Sequence, residues 1–80
     1  MRIKILVFGI ARDICGSGVI HLEVPETATA GQVKQLLTEE YPHLAQLKSF
    51  LLAVNEEYAE LNTLIAPGDE IALIPPVSGG

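Results

Sequence analysis

The sequence predicts an α+β fold in which one main helix lies across one face of a mixed β-sheet. Three observations lead there. The first eight residues and a segment around residues 19–24 alternate apolar and polar side chains and are rich in β-branched residues. A single segment of helical period follows, opened by Thr29 with Gln32 three positions on. The chain then returns to short apolar runs separated by polar turns. Strands on both sides of one helix place that helix on one face of one sheet, with a single shared core.

Met1 to Phe8 reads as the first strand, stopped by Gly9. Successive side chains point to opposite faces, so Met1, Ile3, Ile5 and Val7 share one face and Arg2, Lys4, Leu6 and Phe8 the other. That second face begins charged and ends apolar. Ala11 to Gly18, with Asp13, Gly16 and Ser17, reads as a loop or irregular hairpin connection. Val19 to Val24 is a second strand, antiparallel to the first, with Ile20, Leu22 and Val24 inward and His21 and Glu23 outward; Pro25 ends it.

Thr29 and Gln32 form a capping box, each side chain satisfying a backbone N–H that has no partner in the first helical turn. The helix runs from about Ala30 to Tyr41, with Val33, Leu36, Leu37 and Tyr41 as its apolar stripe, and Pro42 closes it. His43 to Ser49 is a turn or 3₁₀ piece, Phe50 to Asn55 a third strand, and Asn55-Glu56-Glu57 a polar turn before Tyr58 and Ala59. Leu61 to Ile65 pairs as a short, weak strand. Pro67-Gly68 suits the centre of a type II turn leading into the last strand, Asp69 to Ile74. This order is that of the β-grasp, or ubiquitin-like, fold. If the first and last strands are neighbours, the face away from the helix carries Leu6, Phe8, Ala72 and Ile74 at one end. These residues form either a small second cluster or a docking surface.

Eighty residues make one domain, and a chain of this size hides only about 60 to 65% of the surface its unfolded form exposes. Deep substrate pockets are hard to build from so little material, which favours a binding or carrier module over an enzyme complete in itself. Ten acidic against five basic residues give a net charge of -5, which repels phosphate backbones and anionic lipid. Neither nucleic acid nor a membrane is expected as a partner; a basic protein surface is. One cysteine, Cys15, cannot form an internal disulfide, and no apolar run approaches the roughly 20 residues that cross a bilayer, so the cytoplasm is the expected compartment. His21 and His43 stand far from any ligand-spaced Cys or Asp, and no metal site is expected.

Residues 1–74 are expected to form the domain and residues 75–80 an extended, flexible Gly-Gly tail. Pro75-Pro76-Val77-Ser78-Gly79-Gly80 leaves the last strand on two prolines, and six residues reach at most about 20 Å. Without side chains, Gly79 and Gly80 let a terminal carboxylate thread a narrow channel to a reactive centre. A carboxylate is a poor electrophile until it is activated, for example as an acyl-adenylate. Sulfur attack then yields a thiocarboxylate, a strong nucleophile carried on a leash.

Phe8 with Arg12-Asp13 and Gly16, Val54-Asn55 with Tyr58, Pro67-Gly68-Asp69-Glu70-Ile71-Ala72, and above all the 75–80 tail make the chain resemble, from end to end, the small sulfur-carrier subunits of molybdopterin synthase. Two positions depart from that pattern, Gly9 for the usual Ala and Asp13 for the usual Glu. The resemblance implies that the chain is not catalytic alone and holds no permanent cofactor. An adenylating enzyme (MoeB-like) would use MgATP on the Gly80 carboxylate, which sulfur transfer would convert to the thiocarboxylate. The tail would then enter the large synthase subunit (MoaE-like), and two charged carriers would convert cyclic pyranopterin monophosphate into the molybdopterin dithiolene, in a heterotetramer. Gly80 would be the reacting residue, Gly79 the threading one, and Phe8, Ile74, Pro75, Pro76, Val77 and Ser78 the partner contacts. Three other readings share parts of the pattern: a thiamin-pathway sulfur carrier, a ubiquitin-like modifier that links Gly80 to a target lysine, and a plain protein-binding domain.

Overall fold

The β-branched, alternating segments at both ends of the chain pair with each other, and this sets the architecture. In the computed structural model, which describes residues 1–47 and 50–75, β1 (Arg2–Val7) lies antiparallel to β2 (Val19–Glu23) and parallel to β5 (Ile71–Ile74). β3 (Leu51–Val54) runs antiparallel to β5 on its other side and carries β4 (Glu57–Tyr58) at the edge. The strand order is β2-β1-β5-β3-β4, so the first and last strands are central neighbours, as the sequence reading required for a continuous apolar end. This is the β-grasp fold.

The main helix, α2 (Ala30–Glu40), starts at the expected capping box: Gln32 N–H donates to Thr29 Oγ1 at 3.3 Å, and Thr29 N–H donates to Gln32 Oε1 at 2.8 Å. Its buried stripe of Ala30, Val33 and Leu37 packs against Ile5, Ile71, Leu73 and Leu52 from the sheet, with Leu44 from the 3₁₀ turn Pro42–Gln46 closing one end. No polar side chain is buried among the described residues, so the core, aliphatic apart from Phe50, is free of desolvated charge.

Two parts of the sequence reading are corrected. The segment read as a loop from Ala11 to Gly18 contains a short helix, α1 (Ile10–Cys15). Ala11 is fully buried and Ile14 and Cys15 pack beside the core, a helical spacing too brief to stand out. Gly16 ends it in the left-handed region at φ 77°, donating its N–H to Arg12 O at 2.8 Å. The short strand lies at Glu57–Tyr58, not at Leu61–Ile65. The latter segment has other work for its backbone: the carbonyls of Leu61 and Thr63 accept from Gly31 and Ala30 N–H at 2.9 and 2.8 Å, satisfying donors at the start of α2. Leu64 makes only an isolated bridge to Thr29. Strand ends are also trimmed, since Asn55, Asp69 and Glu70 are drawn into turn contacts. Lys48, Ser49 and the predicted tail residues Pro76, Val77, Ser78, Gly79 and Gly80 lie outside the described residues.

Candidate functional site

Alternation along each strand, combined with the pairing registers, builds a row of apolar side chains across the face that α2 leaves open. Leu6 stands opposite Val19 and Ala72, Ala72 opposite Ala53, and Ala53 opposite Tyr58. Ile74 stands opposite Leu51 in the adjoining row, with Phe8 just past the end of β1. Phe8 is 48% exposed, Leu51 47% and Tyr58 69%, so these large side chains project without a covering layer. Leu6, Phe8, Ala53, Tyr58, Ala72 and Ile74 line a shallow groove of about 360 Å³, with Glu56 and Glu70 also in its wall. The other end of the same face is polar, with Arg2, Lys4, His21 and Glu23 on it. The apolar end is the end from which β5 delivers the chain to Pro75.

The structure therefore brings together Leu6, Phe8, Ala72 and Ile74, the four residues that alternation placed there. It adds Ala53 and Tyr58, with Leu51 beside Ile74, which alternation alone did not assign to this surface because their place depends on the β3–β5 and β3–β4 registers. Pro75 follows directly and packs against the turn after β1. Gly9 sits at φ 58°, a conformation that favours glycine, and a Cβ there would approach Pro75 Cγ to 3.0 Å, so the turn and the root of the tail are in close contact.

The groove's acidic wall is held by a pair of turns. Asn55 and Glu56, at φ 53° and 71°, form the two-residue turn joining Val54 to Glu57, a conformation open to Asn and uncommon for Glu. Asn55 Nδ2 donates to Asp69 Oδ1 at 3.0 Å, Glu70 N–H donates to Asn55 Oδ1 at 3.0 Å, and Asn55 N–H donates to Glu70 O at 2.7 Å. Asp69 Oδ2 also accepts from Ala66 N–H at 2.7 Å. The hydrogen bond from Ala66 N–H first, and then that from Asn55 Nδ2, lower the Asp69 pKa below its ordinary value of 3.8.

Other polar features offer less chemistry. An open hollow of about 600 Å³ beside α1 is lined by Gly9, Arg12, Asp13, Gly16, Ser17 and Gly18. The Ser17 hydroxyl there is engaged with the Val19 backbone, donating to its carbonyl at 2.8 Å and accepting from its N–H at 3.2 Å. Burial pushes the Cys15 thiol above its ordinary value, away from the reactive thiolate. Among the described residues no group of three or more His, Cys, Asp or Glu could hold a metal ion, and no helix is long and apolar enough to cross a membrane.

The chain matches the ThiS family over residues 5–80. It is 36% identical to the molybdopterin synthase sulfur carrier subunit of Arabidopsis thaliana, an alignment covering all of this chain and 84% of that protein. Among solved structures, SAMP1 from Haloferax volcanii superposes with a TM-score of 0.85 at 29% identity, and all of both chains is covered. The chain also matches, with a TM-score of 0.68 at 26% identity over the full length of both chains, a structure of the complex of subunits 1 and 2 of the molybdopterin-converting factor from Helicobacter pylori. The chain belongs to the ThiS family, and its likeness to molybdopterin synthase sulfur carrier subunits extends from its first residue to its last.

Proposed function

We propose that this protein is the sulfur-carrier subunit of a molybdopterin synthase, with the Gly80 carboxylate as its working group. A MoeB-like enzyme joins that carboxylate to the α-phosphate of MgATP with loss of pyrophosphate. A sulfur nucleophile then displaces AMP and leaves the thiocarboxylate. The tail, led by Gly79 and Gly80 and flanked by Pro75, Pro76, Val77 and Ser78, enters a MoaE-like large subunit, where sulfur passes to cyclic pyranopterin monophosphate and the carboxylate returns. Two such deliveries complete the dithiolene of molybdopterin. The domain holds no permanent cofactor, and its part is to present the tail.

The observation that carries this reading is the full-length similarity to sulfur carrier subunits. The uncovered apolar end that holds Phe8 and Ile74 beside Pro75 supports it, because a partner docked there receives the chain from residue 75 onward.

Incubation with the adenylating enzyme, MgATP and a sulfur donor is expected to replace one terminal oxygen by sulfur, read by intact-protein mass spectrometry. Addition of the large subunit and cyclic pyranopterin monophosphate then yields molybdopterin. Undiminished molybdopterin formation by a variant lacking Gly80 refutes the proposal. The likeness to SAMP1 favours one second reading, a modifier, whose sign in the same experiment is isopeptide adducts on lysines of other proteins.

A further inference from the structure

The sequence sets Glu56 and Glu57 side by side, yet the hairpin turn sends them to different surfaces. Glu56 lies in the wall of the apolar groove with Tyr58 and Phe8, whereas Glu57 lines a separate hollow on the far side of β4 with Leu64 and Thr63. Glu70 joins Glu56 in the groove wall, because the Asn55 side chain and backbone bind the Glu70 backbone at both its N–H and its carbonyl. The chain thus keeps two exposed carboxylates on one flank of an apolar surface, at the cost of a left-handed glutamate at φ 71°.

Among the described residues, no Lys or Arg lines the groove itself. Arg2 and Lys4 line a neighbouring hollow that Glu70 shares with them, together with Gly68 and Asp69, so Glu70 stands between those cations and the apolar groove. The open face therefore has a mixed-charge end and an apolar end, and Glu70 and Glu56 are the charged residues that border the apolar groove. An apolar surface beside a like-charged pair rejects partners with acidic flanks and orients those with basic ones.

We propose that Glu56 and Glu70 are specificity determinants of the docking groove: they receive Lys or Arg side chains of the protein that covers Phe8, Ile74 and Tyr58, and they set its orientation on the sheet. The occupant is a partner protein with an apolar contact flanked by positive charge. The groove's continuity with Pro75 and the chain's net charge of -5 both select such a surface over a second copy of this chain, which would bring its own carboxylates to the same flank. This inference rests on the carrier reading, since it takes the partner to be the one that accepts the tail.

The test uses the intact protein and the molybdopterin synthase large subunit from the same organism, with affinity measured by calorimetry at low and high salt. Glu56→Lys and Glu70→Lys are expected to weaken binding by about tenfold or more, and Glu57→Lys and Glu39→Lys by less than about twofold, although all four change the net charge equally. Glu56→Gln, which keeps the side-chain shape, is expected to weaken binding less and to flatten the salt dependence. Circular dichroism melts confirm that each variant is folded, and if Glu56→Lys is not, Glu56→Gln and Glu70→Lys decide. Equal losses for all four reversals overturn the inference, because bulk charge then suffices. Sedimentation of the free protein as a dimer that Glu56→Lys dissociates also overturns it, since the occupant is then a second copy. Phe8→Ser separates the two levels: loss of binding with Phe8→Ser but equal charge reversals sinks only the acidic determinants, whereas unchanged binding with Phe8→Ser sinks the docking role of the groove.

Discussion

The two faces of the sheet are made by the same strands, residue by residue in alternation, yet they have opposite fates. On the helix side Ile5, Ile71 and Leu73 are fully buried under Leu37 and Leu44. One position along, on the open side, Leu6, Ala72 and Ile74 are only partly covered, and Phe8, Leu51 and Tyr58 stand about half or more exposed. The inner side is apolar because the domain cannot fold otherwise. The outer apolar end is not needed for that purpose, and a polar outer face suffices in an antiparallel or mixed sheet. Its place at the end where Pro75 departs, while the opposite end carries Arg2 and Lys4, fits the docking role proposed for it.

The contrast is broken most sharply from the inside. Leu73→Ala is expected to cost about 2 to 5 kcal/mol, a large part of the stability of a domain this small, read from the midpoint of urea unfolding. From the outside, Phe8→Ser is expected to leave stability within about 1 kcal/mol while weakening partner binding by about tenfold or more. If the two substitutions cost similar stability, the open face is a second core and its docking role falls.

The smallest effect concerns the latch beneath the groove wall. With the Asp69 pKa lowered by its hydrogen bonds, its ionised form adds stability that is present above the ordinary carboxylate value and is lost as pH falls through the lowered one. Asp69→Asn, which keeps one acceptor oxygen but turns an NH2 toward either Ala66 N–H or the Asn55 amide, is expected to cost about 1 kcal/mol at pH 6. The deficit relative to the parent protein should shrink as pH is lowered toward 3; a deficit that stays constant assigns the effect to something other than the carboxylate charge.

Most of this architecture was legible from local signals. Thr29 and Gln32 mark the helix start because a capping box is satisfied within four residues, and the alternation of residues 1–8 and 19–24 reveals their faces directly. The errors fall where local signal is weakest. α1 spans six residues and β4 two, lengths at which tertiary contact decides. Leu61 to Ile65 has a strand-like composition, but its carbonyls meet the unpaired donors of α2, a need that no window of that segment reveals. The same limit explains the site. Phe8 and Ile74 follow from alternation in their own strands, whereas Tyr58 and Leu51 join them only through pairings between distant segments, and the separation of Glu56 from Glu57 depends on turn geometry.

The central place of β5 also bears on how the protein is made. Residues 71–74 join β1 to β3, so while the chain is being synthesised the two halves of the sheet have no common strand until β5 has emerged. The sheet cannot close before β5 is available, which leaves the aliphatic segments of β1 and β3 exposed in the meantime. The strand that closes the sheet is thus the same one that leads directly into Pro75.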